Sequence, residues 1–351
     1  MGVYAAVDSQ PVLSLGGADI EGPEQFFNIH GVYIDPSDNI WIANRGSNDV
    51  RIFHPDGTHW RTTGRTGSGP GEFRGVRVLG PAGESSVAIW DDANPRLTLL
   101  TLDGELADVV SIQLDGTVPQ ALSVFPDGSL LLRKQREIAA SAISPETVFR
   151  DTVALFRFDF GRDSLTEIGT ALGAAWLWTG RIQVPIPFTT SPSYVIDSAG
   201  AVHVAAGDEF RIRVAKDGSI VEHYGVDRPP RKVTDGSFAQ YSDFYTDNMG
   251  EGDVLDAYLS VLDNSSMPGT LPAYSQLLVS AEDNVWARIY SPDLLAAGDW
   301  DVYGPDRKLL GSARTPSGLI VNSIGGDRLA GVWRDESGVE FVRVYQITNR
   351  R

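Results

Sequence analysis

The chain repeats one phrase several times, and this repetition limits its possible folds more than any other feature. Residues 29–57 read IHGVYIDPSDNIWIANRGSNDVRIFHPDG, in which three apolar runs are separated by a turn and a polar loop and end at an Asp-Gly turn. Alternating apolar and polar positions, rich in β-branched and aromatic residues, are typical of β-strands. Related phrases begin near residues 73, 119, 192, 274 and 318. The repeats therefore predict an all-β chain.

The spacing of the repeats predicts a β-propeller. The first turns of the six copies lie about 45 residues apart where nothing is inserted, which is the period of a four-stranded propeller blade. We expect a single domain over residues 1–351, a six-bladed propeller of four-stranded blades at about 29–66, 73–113, 119–170, 190–226, 272–313 and 317–347. Two unrelated β-domains are the alternative.

The two ends of the chain are predicted to meet. The last copy supplies only three strands, and residues 3–15 carry a further strand pattern. Pairing this N-terminal strand with the last blade would complete that blade and close the ring, which leaves no open sheet edge. Two intervals between copies are longer than the others, and they contain insertions within 138–191 and at 228–271. The second reads YSDFYTDNMGEGDVLDAYLSVLDN in part and is predicted to be partly helical.

Composition excludes several classes of function. The 351 residues exceed the usual size of one compact core, which agrees with a repeat architecture. The 29 basic and 46 acidic side chains give a net charge of −17, which opposes binding to nucleic acid or anionic membranes. The chain has no cysteine, so disulfides and thiolate metal sites are excluded. It has no apolar run long enough for a transmembrane segment, and its first residues lack signal-peptide features, although the Met-Gly start leaves export open.

Comparing the copies separates recurring residues from variable ones. Trp41, His203 and Trp286 occupy one position in the second strand of their copies. A large ring at that position is expected to pack between blades, so His203 is predicted to be a core residue rather than a metal ligand. Recurring arginines at the start of the third strand are predicted to make ion pairs within a blade or to pack through their aliphatic stems, rather than to act in catalysis.

Two motifs carry a resemblance to a known family. The segment TGSGPGEF (66–73) and the phrase DNIWIANRGSNDVRIF resemble the NHL-type six-bladed propellers. The C-terminal half is similar to uncharacterised bacterial six-bladed propellers, which are often exported or lipid-anchored. The phrase from residue 29 is more distantly similar to the repeats of the amidating lyase and streptogramin lyase. The resemblance implies a periplasmic or extracellular location, and a closed ring implies a monomer.

Function in a propeller is expected at one mouth of the central channel. That mouth is built from the start of each innermost strand and from the loop after each second strand. These positions differ between copies and are rich in arginine: Arg45, Arg74, Arg133, Arg136, Arg288 and Arg334. Arginines that converge in an acidic protein predict an electropositive funnel for a small anionic molecule, a glycan or a peptide. The ligand-binding candidates are Arg45, Arg74, Gln120, Arg133, Asp208, Trp333 and Arg334. The alternative is that these arginines point outward or pair with nearby acids.

An enzyme is the second hypothesis. The resemblance to lyase and lactonase propellers implies chemistry at the same mouth, and the catalytic candidates there are His30, Asp92 and Arg288. A lactonase of the calcium type would use oxygen ligands such as Asn44, Asp91, Asp92 and Asp208. A three-histidine zinc site is not expected, because Arg74 and Gln120 stand where two of the histidines would be. Chemistry without a metal would use His30 as a base and an arginine to stabilise an enolate.

A protein-interaction scaffold is the third hypothesis. Aromatic residues in the two insertions could form a docking face: Trp176, Trp178, Tyr241, Phe244 and Tyr245. These residues could equally be buried against the ring, or the insertions could cover the mouth as a lid. A lid would favour a small enclosed ligand over a protein partner.

Overall fold

A computed structural model describes residues 2–112, 120–135, 144–189, 191–216, 219–263 and 267–348. Across these residues the strands form five sheets. Two N-terminal strands come first, β1 (Val3–Val7) and β2 (Leu13–Leu15). The first sheet then contains β3 (Ile29–Ile34), β4 (Ile40–Asn44), β5 (Asp49–Phe53) and β6 (His59–Thr63). The second sheet contains β7 (Val76–Ala82), β8 (Ser86–Asp91), β9 (Arg96–Thr101) and β10 (Leu106–Ser111).

The next two sheets continue the same meander. The third contains β11 (Gln120–Val124), β12 (Leu130–Gln135), β13 (Thr147–Asp159), β14 (Ser164–Trp178) and β15 (Gln183–Pro185). The fourth contains β16 (Ser193–Ile196), β17 (Val202–Ala205), β18 (Arg211–Lys216) and β19 (Ser219–Gly225). Two helices follow it, α1 (Asp235–Asn248) and α2 (Asp253–Ser260). Short 3-10 turns occupy Gly22–Glu24 and Val261–Asp263.

The fifth sheet is the largest and includes the first and the last strands of the described residues. It contains β20 (Tyr274–Val279), β21 (Val285–Ile289), β22 (Gly298–Tyr303), β23 (Leu309–Thr315), β24 (Leu319–Ile324), β25 (Arg328–Arg334) and β26 (Glu340–Thr348), together with β1 and β2. The N-terminal strands pair antiparallel with β26, so the segment at 3–15 lies beside the last strand as its pattern predicts. The parallel pairing of β1 with β23 was not predicted, and it joins two groups of strands into one sheet.

The sheets are arranged around a common axis. Their first strands contact one another in a closed order, β3 to β7, β11, β16, β20, β24 and back to β3. Apolar side chains of neighbouring sheets fill the space between them; Trp41 and Ile52 of the first sheet, for example, pack on Val87 and Ile89 of the second. This is the arrangement of a β-propeller, in which strand edges are protected by closure of the ring.

The second strands repeat one buried ring position. Trp41, His203 and Trp286 lie in equivalent register and are all buried, so the prediction that His203 belongs to the core is confirmed. A carboxylate six residues earlier accepts the ring N–H in two copies: Asp35 binds Trp41 Nε1 at 2.9 Å, and Asp197 lies 3.0 Å from His203 Nε2. In the third copy this residue is Ser280, and Trp286 Nε1 has no partner among the described residues.

Both insertions lie at one end of the ring. Strands β13 and β14 continue past the end of β12 and pair with each other over that extension, while α1 and α2 precede the start of β20. A capping box between Thr234 and Ser237 starts α1, within the segment 228–271 that was predicted to be partly helical. The insertions pack together, with Ala257 and Val261 against Leu177 and Val184. Within the described part of the chain, neither helix is long and apolar enough to cross a membrane.

Candidate functional site

Four charged or polar side chains form a connected cluster at the end of the ring that holds the insertions. Arg77 of β7 donates from Nη2 to Asp92 Oδ1 at 3.1 Å. The other oxygen of Asp92 accepts from Arg45 Nη1 at 3.3 Å. Arg45 Nη1 also lies 3.3 Å from His30 Nδ1. The cluster therefore links the first strand of the first sheet to the first strand of the second through one carboxylate.

Two buried side chains position the loops that carry this cluster. Asn44 Oδ1, at the end of β4, accepts from the backbone N–H of Phe27 at 2.8 Å. Asp91 Oδ2, at the end of β8, accepts from the backbone N–H of Arg74 at 3.1 Å. Each side chain thus fastens the loop after a second strand to the segment that enters the first strand of the same sheet. Arg45 and Asp92 follow these two residues directly, so their backbones are fixed by neighbours with satisfied hydrogen bonds.

Arg77 is the most buried member of the cluster. Its Nη2 also donates to the backbone oxygen of Ala121 at 2.7 Å, in the first strand of the third sheet. Its Nε is buried and has no partner among the described residues. Burial lowers the pKa of Arg77, Asp92 opposes this effect, and the positive charges of Arg133 and Arg45 add to the lowering. One carboxylate therefore pairs with two guanidinium groups, and the charge of Arg133 also acts on Arg77.

The pKa of His30 is lowered by its surroundings. Burial lowers its pKa below the ordinary value of 6.5, and the positive charge of Arg45 lowers it further. Asp92 and Glu340 raise the pKa and Arg77 lowers it, but these effects do not reverse the direction. The surroundings of His30 therefore favour the uncharged imidazole over the protonated one.

Two of the predicted arginines serve the scaffold. Arg288 is buried, and its Nη2 donates to the backbone oxygens of Leu294 and Ala296 at 3.0 and 3.1 Å. Arg334 binds Glu340 Oε1 from Nε at 3.1 Å, while the other oxygen of Glu340 accepts from the backbone N–H of Ile29 at 2.8 Å. The guanidinium group of Arg288 therefore binds the loop after β21. The guanidinium group of Arg334 binds Glu340, which connects the last strand to the start of the first sheet.

The remaining predicted residues lie around the cluster or apart from it. Gln120 and Arg133 face each other across β11 and β12, and the side chain of Arg74 is exposed. Asp208 accepts from Thr270 Oγ1 at 2.7 Å. Trp333 packs against Phe341, and the guanidinium of Arg343 stacks 3.4 Å from its ring centre. Arg136 lies outside the described residues.

The proposed calcium ligands do not form one ligand set. Asn44 Oδ1 accepts from a backbone N–H group, Asp91 Oδ2 accepts from a backbone N–H group and from the Asn94 side chain, and Asp208 accepts from Thr270. Asp92 lies between two guanidinium groups, an environment that repels a cation. Within the described ranges, no three side chains of histidine, aspartate or glutamate converge as a metal site would require. These residues therefore do not fit calcium as predicted.

Arg77 is the functional candidate that sequence reasoning missed. The motif His-Gly-Val at 30–32 matches Arg-Gly-Val at 74–76, which suggested Arg74 as the counterpart of His30. In the structure Ile29 pairs with Asn44 and Val76 pairs with Asp91, so the residues that follow, His30 and Arg77, are equivalent. His30 and Arg77 precede Asn44 and Asp91 by the same number of residues, so counting back from the end of each second strand identifies Arg77 as the counterpart of His30. The β-bulges in both first strands hide the relation from a match of short motifs.

The exposed side chain of Phe27 lies beside the cluster. Its backbone oxygen accepts from the N–H of Gly46 at 2.9 Å, and a methyl group at residue 46 would lie 2.5 Å from the Phe27 ring. Phe27 is 74% exposed. Cavities of about 570 and 320 Å³ also occur, but other residues line them, on the fifth sheet and between the third and fourth sheets.

Comparisons with known proteins show which fold this chain has, but they do not show its activity. No family model matches the chain, and no curated protein matches it. A solved structure of a DUF4221 family member from Bacteroides vulgatus is similar, with 12% identity, a TM-score of 0.57 and 99% of each chain covered. A Bacteroides fragilis protein described as exported has 12% identity and a TM-score of 0.53, covering 98% of this chain and 96% of that one. Virginiamycin B lyase from Staphylococcus aureus has 10% identity and a TM-score of 0.45, covering 96% and 98%.

Proposed function

We propose that the protein binds a small anionic molecule at the cluster formed by His30, Arg45, Arg77 and Asp92. The observation that carries the proposal is the charge balance of this cluster. Arg45 and Arg77 share the single carboxylate of Asp92, and the positive charge of Arg133 acts on Arg77 as well. In a protein of net charge −17, such a local excess of positive charge attracts an anion and orients it.

The chemistry of the donors narrows the ligand class. Guanidinium groups present planar pairs of N–H donors that match carboxylate and phosphate oxygens. The two guanidinium groups share the carboxylate of Asp92, and the buried Nε of Arg77 has no partner among the described residues, so the donors of this cluster outnumber the acceptors that the described residues supply. The ligand is therefore a carboxylate or phosphate, free or at the end of a peptide or glycan.

The insertions favour a small ligand over a large partner. Both lie at the end of the ring that carries the cluster, and Tyr290 of the loop after β21 packs with Phe188 and Tyr241 beneath them. Tyr241 is buried and Tyr245 is half-buried, so they support the insertion rather than form an open docking face. A scaffold role for these aromatic residues is correspondingly less well supported.

Thermal unfolding with simple anions tests the proposal. Inorganic phosphate, sulfate, acetate and succinate are added to the wild type and to Arg77→Gln, and the shift in Tm is recorded against chloride at equal ionic strength. At least one anion is expected to raise the Tm of the wild type and to raise that of Arg77→Gln much less. Arg162→Gln is the matched control, because Arg162 is exposed in the turn between β13 and β14. Equal shifts in Arg77→Gln and wild type would contradict the proposal.

An enzyme of the lyase or lactonase type is the second candidate. Its support is the convergence of an uncharged imidazole and two guanidinium groups, since such donors stabilise an oxyanion that develops during reaction. Screening lactones and peptidyl-hydroxyglycine substrates tests this candidate, and turnover that survives Arg77→Gln would argue against this site.

The finer architecture is also a proposal. We propose six blades in one domain, the nine-stranded sheet supplying the last two, and a ring of the NHL type that is monomeric. The closed order of six first strands supports the blade number. Location outside the cytoplasm is supported by the similarity to a protein described as exported. Light scattering in solution tests the monomer, and fractionation of expressing cells tests the location.

A further inference from the structure

We infer that Arg45 holds His30 as a neutral imidazole with its proton on Nε2, so that His30 presents an N–H donor to the ligand and does not act as a base. The statement about the imidazole stands on contacts within the protein; the statement about the ligand rests on the proposed function. Arg45 is a positioning residue in this arrangement.

The direction of one hydrogen bond carries the inference. Arg45 Nη1 lies 3.3 Å from His30 Nδ1. A guanidinium group carries only donors and keeps its proton in proteins, so in this bond Nδ1 must be the acceptor. An Nδ1 that accepts carries no proton, and a neutral imidazole then has its proton on Nε2. The free ring nitrogen of His30 is therefore a donor.

Arg45 is itself fixed by a chain of contacts. Asp92 Oδ2 accepts from Arg45 Nη1 at 3.3 Å, and Asp92 Oδ1 accepts from Arg77 Nη2 at 3.1 Å. The same Nη2 donates to the backbone oxygen of Ala121 at 2.7 Å. The guanidinium that faces His30 is thus connected, through one carboxylate, to the first strand of the third sheet.

The charged groups near His30 do not favour the other tautomer, in which the proton lies on Nδ1. Arg45 and Arg77 are positive, and Asp92 and Glu340 are negative. Both carboxylates are committed elsewhere, because Asp92 binds the two arginines and Glu340 binds Arg334 and the backbone N–H of Ile29. Neither carboxylate hydrogen-bonds the imidazole, so none of the described groups offers an acceptor that would favour a proton on Nδ1.

The chemical consequence concerns the ligand. An Nε2–H donor beside two guanidinium groups suits an acceptor oxygen, such as that of a carboxylate, a phosphate or a carbonyl next to one. A lyase mechanism that begins with proton removal by His30 would require Arg45 to leave Nδ1 or Nε2 to lose its proton. The expectation of His30 as a base is therefore replaced by that of a hydrogen-bond donor.

Nuclear magnetic resonance of the imidazole nitrogens tests the inference without any ligand. Protein labelled with ¹⁵N-histidine is recorded in long-range ¹H–¹⁵N spectra across a pH series, and His30→Gln assigns the His30 signals among the five histidines. The expected result is an unprotonated Nδ1, a protonated Nε2 and a pKa below 6.5. In Arg45→Leu the tautomers should mix and the pKa should rise. Arg162→Leu is the matched control and should change neither.

Separate outcomes overturn this inference and the proposed function. A proton on Nδ1 in the wild type overturns the inference, as does an Arg45→Leu protein that is folded by circular dichroism and keeps the wild-type tautomer and pKa. If Arg45→Leu does not fold, Arg45→Lys, which retains a donor, is expected to keep the proton on Nε2. Failure of every anion to bind would leave the tautomer result intact and would count against the proposed function alone.

Discussion

Arg77 and Asp92 form an ion pair between the first strand of the second sheet and the loop after its second strand, with Nη2 and Oδ1 3.1 Å apart. The pair matters beyond its own contact, because the second oxygen of Asp92 holds Arg45 and Arg45 contacts His30. A single carboxylate thus organises side chains from two sheets. Its removal should therefore affect stability, charge balance and the imidazole together.

Replacing Asp92 by asparagine tests this organising role. The change leaves Arg77 largely buried without a counter-charge, so we expect the free energy of unfolding to fall by about 1–3 kcal/mol. Urea unfolding measures this loss. Asp159→Asn is the control, since Asp159 pairs with the exposed Arg162 and should cost under about 1 kcal/mol. Equal losses in the two variants would contradict the role of Asp92.

The lowered pKa of His30 predicts a pH dependence of stability. In the unfolded chain this histidine titrates near its ordinary value of 6.5, and in the folded protein it titrates below that value. Between the two values the unfolded state binds more protons, so stability falls as the pH falls below about 6.5 and stops falling below the folded pKa. His30→Gln should therefore show a shallower loss of stability over this range. Identical pH profiles of urea unfolding would contradict the shift.

The indole N–H of Trp286, which has no partner among the described residues, offers a test of the repeated core position. Asp35 accepts from Trp41 Nε1 and from the backbone N–H of Asn39, whereas Ser280 leaves Trp286 Nε1 without a described partner. Ser280→Asn is expected to raise the free energy of unfolding by about 0.5–1.5 kcal/mol by supplying that acceptor without a second carboxylate beside Glu282, whose Oε2 lies 2.9 Å from Ser280 Oγ. The change Asp35→Ser should lower it by about 1–3 kcal/mol. Thermal unfolding of both variants checks the pair, and a loss in both would contradict the assignment.

The N-terminal strand should contribute strongly to stability. Tyr4 is buried, packs edge-on against Trp286 with ring centres 6.1 Å apart, and its hydroxyl accepts from Asn284 Nδ2 at 3.0 Å. Tyr4→Ala is expected to cost about 3–5 kcal/mol because it leaves a cavity where the chain ends meet. Tyr4→Phe, which removes only the hydroxyl, should cost about 0.5–1.5 kcal/mol. Denaturant unfolding separates the two, and a negligible cost for Tyr4→Ala would show that the strand is dispensable.

Much of the fold follows from local patterns in the sequence, and part of the site does not. Alternation and turn residues identify the strands, and the shared register of Trp41, His203 and Trp286 follows from comparing copies. The parallel pairing of β1 with β23 has no local signal, because it joins segments about 300 residues apart. Arg288 and Arg334 are indistinguishable by sequence from ligand-binding arginines, and only their partners Leu294, Ala296 and Glu340 reveal a structural role.

The most direct test of the central claim is the effect of an added anion on the His30 signal. Protein labelled with ¹⁵N-histidine is titrated with inorganic phosphate and, separately, with acetate at constant ionic strength. We predict that at least one of them shifts the His30 Nε2–H resonance in a saturable manner, that Arg77→Gln abolishes the shift, and that Arg162→Gln preserves it. A His30 signal that responds to neither anion, or one that responds equally in Arg77→Gln, would contradict an anion site at this mouth.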